Sequence, residues 1–162
     1  MYIVVVPCAF SLRITANSFS VSSRPILDVG SSKTHALVAD DSGRCLGFGK
    51  AGGGNHQTGG YPVLAQALKE SVFQAVEMAG ISIAQLAGAG FGVSGYDWPS
   101  DLPGHLESIA ALGLSCPVEV VNDAINGLLA GTTQGWGVNV TAGSSVNCRG
   151  RDRLGREGRI VG

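Results

Sequence analysis

A chain of 162 residues with 44% hydrophobic and 14% charged residues is long enough for one buried core and has the balance of a compact globular protein. Its net charge of -1 leaves no basic excess, so composition gives no support to a nucleic-acid partner or to an anionic membrane surface. Cys8, Cys45, Cys116 and Cys148 are scattered without C-x-x-C spacing, so reduced thiols in a cytoplasmic protein are expected, with no disulfide framework.

The first 25 residues are unlike the rest. Ile3 to Leu12 is an apolar run of signal-peptide length, but it contains Pro7, lacks a basic leader and is too short to span a bilayer. Residues 13–25 are Ser-rich and aperiodic, and read as a linker or an atypical extension. From there the pattern alternates. Ile26 and Leu27 end a first strand, His35 to Ala39 form a second, and Asp41-Ser42-Gly43 turn into a third at Arg44 to Gly49, which makes a meander.

A glycine-rich loop, Gly52 to Gly60, leads to a helix with Pro62 near its start. Leu64, Leu68, Val72, Ala75 and Ala79 recur at helical spacing, and Gly80 stops it. Next come a small-residue strand (Gly88 to Ser94), a helix (Asp101 to Leu112), a short strand (Pro117 to Val121) and a helix (Asp123 to Ala130). Gly137 to Ala142, Val146 to Gly150 and Arg156 to Val161 then read as strands on tight turns. This order suits an α/β domain with a mixed sheet, in which ligands lie beyond the carboxyl ends of the strands.

That rule selects the candidate residues. D-V-G-S-S-K-T, from Asp28 to Thr34, has the chemistry of a phosphate-gripping hairpin turn. Gly30 allows close backbone approach, Ser31, Ser32 and Thr34 offer donors, Lys33 offers charge, and Asp28 could hold Mg²⁺ through its waters. An ordinary polar hairpin is the plainer alternative. Asp97 and the pair Asn122-Asp123 also fall at strand ends, where Asp and Asn serve equally well as helix N-caps. His56 reads as an exposed loop histidine, and Trp98 and Trp136 as core or rim packing. His35, His56 and His105 show no metal-ligand spacing, G-V-S-G-Y lacks the second glycine of a nucleophile elbow, and Lys50-Ala51 rules out a Walker A loop.

Taken together, D-V-G-S-S-K-T-H-A-L-V-A-D-D-S-G-R, G-N-H, S-G-Y-D, V-V-N-D-A and T-A-G-S-S-V-N-C-R resemble the BadF/BadG/BcrA/BcrD-type ATPase family, which includes N-acetylglucosamine kinase within the sugar kinase, heat-shock ATPase and actin superfamily. The likeness runs from Ile26 to Gly162. It implies a ribonuclease H-like (actin-like ATPase) lobe over residues 26–133 and the first strands of a second, truncated lobe over 134–162, closing on ATP and Mg²⁺. By position, Asp28 to Thr34 matches the first phosphate turn, with Val29 and Ser31 where glycines are usual and Ser32 where threonine is. Gly143, Ser144 and Ser145 match the second phosphate turn, Asn55 the sugar-binding asparagine, and Asp123 the carboxylate that takes the proton of the attacking hydroxyl. Asp97 and Asn122 join Asn55 and Asp123 as expected sugar contacts.

The implied partners are a nucleotide and a small-molecule sugar, with neither nucleic acid nor membrane, and a homodimer stays open. Because the second lobe of such enzymes carries most of the adenosine pocket, this chain is expected to be a fragment with weak or absent turnover alone. An ATPase activating a dehydratase or reductase, and a non-catalytic sugar-binding remnant, remain as alternatives.

Overall fold

The computed structural model describes residues 26–142 and 146–160. The expectations for residues 1–25, Cys8 included, and for the Gly143-Ser144-Ser145 turn lie outside the described residues.

The expected meander is present as β1 (Ile26–Val29), β2 (Lys33–Ala39) and β3 (Cys45–Gly52), each antiparallel to the next. β2 begins at Lys33 rather than His35, because the turn is tight: the Gly30 amide donates to the Lys33 carbonyl at 2.9 Å. β3 continues through Gly52, past the expected end at Gly49. Its inward residues Gly47, Gly49 and Ala51 are small, and the following helix lies directly on their backbone. A Cβ at Gly49 would stand 1.8 Å from the Ser71 carbonyl oxygen and one at Gly47 2.0 Å from that of Ala75. Side chains there would push the helix off the sheet.

That helix is α1 (His56–Met78), which starts inside what reads in sequence as a loop. Asn55 caps its first turn by accepting from the Gln57 amide at 2.9 Å, Gly60 then leaves helical geometry with φ of 79°, and the regular helix resumes with Pro62 in its first turn. Leu64, Leu68, Val72, Ala75 and Val76 form its buried stripe. β4 (Ala89–Val93), α2 (Leu102–Ala110), β5 (Val118–Asn122) and α3 (Asp123–Gly131) follow as expected. The start expected for α2 at Asp101 is a 3-10 turn over Pro99–Asp101, because Asp101 turns its carboxylate back to the Asp97 and Trp98 amides.

The sheet order is β3-β2-β1-β4-β5, with β1, β4 and β5 parallel, which is the mixed sheet expected. Leu27, Val29, Phe91 and Val93 point from the central strands into the core beneath α1 and α2, with Leu64, Leu68, Ile109 and Leu112 opposite them. Strand alternation turns the paired Asp28 and Gly92 to the other face, where a Cβ at Gly92 would stand 2.7 Å from Asn126 of α3. A second antiparallel sheet, β6 (Gly137–Ala142), β7 (Val146–Arg151) and β8 (Glu157–Ile160), packs on α3. No helix among the described residues is long and apolar enough to cross a membrane.

Candidate functional site

Parallel pairing sets the ends of three strands side by side. Val29 pairs with Val93, Val93 pairs with Asn122, and the Ser94 amide donates to the Val29 carbonyl at 2.8 Å. Residues that follow those positions therefore converge: the Gly30–Lys33 turn, the Ser94–Asp97 loop, and Asn122-Asp123 at the start of α3. Asn55 closes the group from α1. Its buried amide donates to the hydroxyls of Ser31 and Ser94, at 3.1 and 3.4 Å, while its oxygen caps α1. Gly95 has φ of 84°, and a Cβ there would stand 2.6 Å from Asn55 Oδ1, so the loop passes this close only as glycine.

Asp28, near the end of β1, lies within reach of the charge of Asp123 at the start of α3. Burial, then the charge of Asp123, push the Asp28 carboxyl up to about 6 against the pull of Lys33. Burial raises Asp123 as well, opposed by the Ala124 amide, Arg149, Ser94 and Asn147. Asn122 caps α3 by accepting from the Ala124 amide at 3.0 Å, and its own amide donates to the Tyr96 carbonyl at 3.1 Å. Capping and site placement coincide in Asn122.

The remaining expected residues divide. Ser31, Ser32 and Lys33 are exposed at the turn. Thr34 is fully buried and donates its hydroxyl to the Gly52 carbonyl at 2.9 Å, so that hydroxyl stitches β2 to β3 and does not face the turn. Gly30 likewise uses its amide to close the hairpin. Asp97 is held on both oxygens: Gln57 donates to Oδ2 at 3.0 Å, and Arg149 and Arg159 pair with Oδ1. It is not the cap of α2.

His56 is not an exposed loop residue. It opens α1, its ring stacked on Tyr61 at 4.7 Å between centroids and edge-on to His105 at the same distance. Trp98 and Trp136 sit at the rim beneath Arg159 and Arg153, with the guanidinium carbons 3.8 and 4.5 Å from the ring centres.

Across 136 residues the chain is 27% identical to the N-acetylmuramic acid/N-acetylglucosamine kinase of Clostridium acetobutylicum, a match covering 84% of this chain and 44% of that enzyme. The resemblance to the N-acetylglucosamine kinases is borne out. Two solved structures of candidate N-acetylglucosamine kinases share the fold of 84% of this chain. That of Porphyromonas gingivalis does so at TM-score 0.66 and 23% identity, and that of Chromobacterium violaceum at 0.62 and 18%, over 47% and 48% of their own lengths. The architecture is the ribonuclease H-like, actin-like one. The chain thus spans about half the length of the kinases it matches. No family model matches it.

Beside the residues that carry this kinase likeness, the structure adds partners that sequence reasoning passed over. Asn147 donates to Asn122 Oδ1 and Asp123 Oδ1 at 3.1 and 3.2 Å, and Arg149 reaches Asp97 and the Tyr96 carbonyl. Both project from one face of β7, and the signal for them was present: polar Asn147 and Arg149 alternate with apolar Val146 and Cys148. Gln57 and Ser94 carried no comparable signal, since a helix and a loop brought them in.

Proposed function

We propose that this chain forms the acceptor-binding part of an ATP-dependent kinase that phosphorylates an amino sugar of the N-acetylglucosamine type. The observation that carries this reading is the convergence of Asp123, Asp28 and Asn55 at the carboxyl ends of β1, β4 and β5. A half-buried strand-to-helix carboxylate beside a cap asparagine is a fixed proton acceptor, and a hairpin turn with a lysine is its phosphate-side counterpart.

Asp123 takes the proton of the sugar hydroxyl as the new oxygen–phosphorus bond forms and the bond from the γ-phosphorus of ATP to its bridging oxygen breaks, with ADP as the leaving group. Burial raises its basicity, while the Ala124 amide and the Arg149, Ser94 and Asn147 side chains oppose the rise. Asn55 holds the two turns in register, and its neighbour Ser94 offers a hydroxyl to the bound sugar.

A carboxylate raised by burial and by the charge of a second one suits a divalent cation, and Mg²⁺ is commonly held by one or two carboxylates together with phosphates and water. Asp28 would hold it through water, and Ser31, Ser32 and Lys33, with Gly143, Ser144 and Ser145, would flank the ATP phosphates. When bound, the cation supplies charge neutralisation at those phosphates. Positioning supplies most of the remaining barrier reduction.

The test is ligand-observed NMR on the folded chain with N-acetylglucosamine, glucosamine and glucose, with Asn55→Ala as control. Saturable binding of an amino sugar, lost in the control, is expected. A folded chain that binds none of the three refutes this assignment.

A further inference from the structure

Arg149 is 7% exposed, and the proposed chemistry uses it only as a nearby charge that opposes the rise of Asp123. Its terminal nitrogen serves two acceptors, the Asp97 carboxylate and the Tyr96 carbonyl, and its Nε is buried without a partner among the described residues. Both acceptors belong to the loop after β4, whereas Arg149 belongs to β7 of the other sheet. The Tyr96 carbonyl also accepts from the Asn122 amide, and Asp97 also accepts from Gln57, whose backbone amide is capped by Asn55. One cation therefore joins Asn55, Gln57, Asp97, Tyr96 and Asn122 into a single network ending at Asp123. Arg159 closes the outer side, pairing with the same Asp97 oxygen while covering Trp98.

We propose that Arg149 is a positioning residue, and that Asp97 is its counter-ion and not a sugar ligand. Together they lock the Tyr96–Asp97 loop and the Asn122-Asp123 turn into one arrangement across the two sheets. The inference rests on the kinase reading for its consequence and on geometry alone for its mechanism. All three donors that reach the Asp97 carboxylate are protein groups, which leaves it poorly placed to receive a substrate hydroxyl. A charge pair with one buried member holds geometry more surely than it adds stability, and removing the half-buried Asp97 carboxylate leaves the buried Arg149 without that partner.

Amide hydrogen exchange on the full chain separates this latch from a general packing role. Arg149→Met is expected to speed exchange roughly tenfold or more at the amides of Asp97, Trp98 and Ala124, with the amides of the β2–β3 ladder unchanged. Arg149→Lys, which keeps the charge in case the methionine variant folds poorly, is expected to restore part of that protection. Uniform acceleration throughout the chain, or no local change, overturns the latch. Titration with N-acetylglucosamine adds the second arm: Arg149→Met and Asp97→Asn should each weaken binding, and the double variant should be no weaker than the worse single one. Additive losses would make Asp97 a direct ligand and overturn its assignment as counter-ion. A wild-type chain that binds no sugar sinks the kinase reading, while the exchange pattern still decides the latch.

Discussion

Asp28 and Asp123 are held where neither carboxylate is comfortable. In the folded chain Asp28 titrates near 6, against about 3.9 for a free aspartate, so the fold favours its protonated form. Between those two values the native state binds the extra proton, and stability falls as pH rises through that window and stays lower above it. Asp28→Asn should therefore stabilise the cation-free chain at pH 7, by on the order of 2 kcal/mol, and flatten the slope between about pH 4 and 6. Urea unfolding at several pH values measures both, and a destabilised variant would show that the charge is compensated. The other carboxylate bears on chemistry. On the proposed kinase reading, Asp123→Asn should lower turnover roughly 10²- to 10⁴-fold with little change in sugar affinity, as loss of proton transfer predicts. Steady-state kinetics check it, and normal turnover would remove Asp123 from the mechanism.

At the scale of elements, α1 and α2 are joined by an aromatic box of Tyr61, Tyr96, His56 and His105. His105 is fully buried, and its Nδ1 donates to the Asp101 carbonyl at 2.7 Å, leaving Nε2 buried and unpartnered. A second proton would sit on Nε2 with no acceptor. Burial accordingly holds the imidazole below the usual histidine range, against the pull of Asp101. Its neutral form is the folded one, so this contribution is complete above about pH 6.5 and is lost as pH falls below that value. The stability difference between wild type and His105→Phe should shrink on acidification from about pH 7 to 5; because Asp28 affects both chains alike, the difference isolates the histidine. A difference independent of pH would mean that His105 binds its proton equally well in the folded and unfolded chain, and one that grows on acidification would mean that it is protonated when folded.

Over the whole molecule, the two sheets are unequal. The core cluster draws its residues from the five-stranded sheet, α1 and α2 with their connecting loops, and none from β6, β7 or β8. One face of the smaller sheet packs on α3 and carries Asn139, Asn147 and Arg149 toward the site. Its other face presents Val138, Val140, Val146 and Ile160, each more than 60% exposed. Little apolar area secures that sheet on its outer side. Native-state hydrogen exchange in low denaturant should find β6–β8 opening at lower free energy than β1, β2 and β4, and coincident opening would show one cooperative unit.

Much of this architecture was legible along the chain. The three-strand meander, the stripe of Leu64, Leu68 and Val72, and the strand and helix around Asn122-Asp123 all depend on periodicity and local turn chemistry, which a sequence carries openly. Asp123 follows a strand as expected, whereas β1 runs two residues past the expected Leu27 and takes in Asp28. Contacts between distant segments were not legible: α1 begins at His56 because Asn55 caps it, β3 runs to Gly52 because α1 lies on its glycines, and Thr34 turns inward to Gly52. Asp97 shows the limit most plainly. In sequence it is one more strand-end carboxylate, but its partners lie 40, 52 and 62 residues away, on Gln57, Arg149 and Arg159. Local pattern determined which elements form and which residues end them; only the tertiary structure, by satisfying buried charges and hydrogen bonds across elements, decided which of those residues are bound to one another.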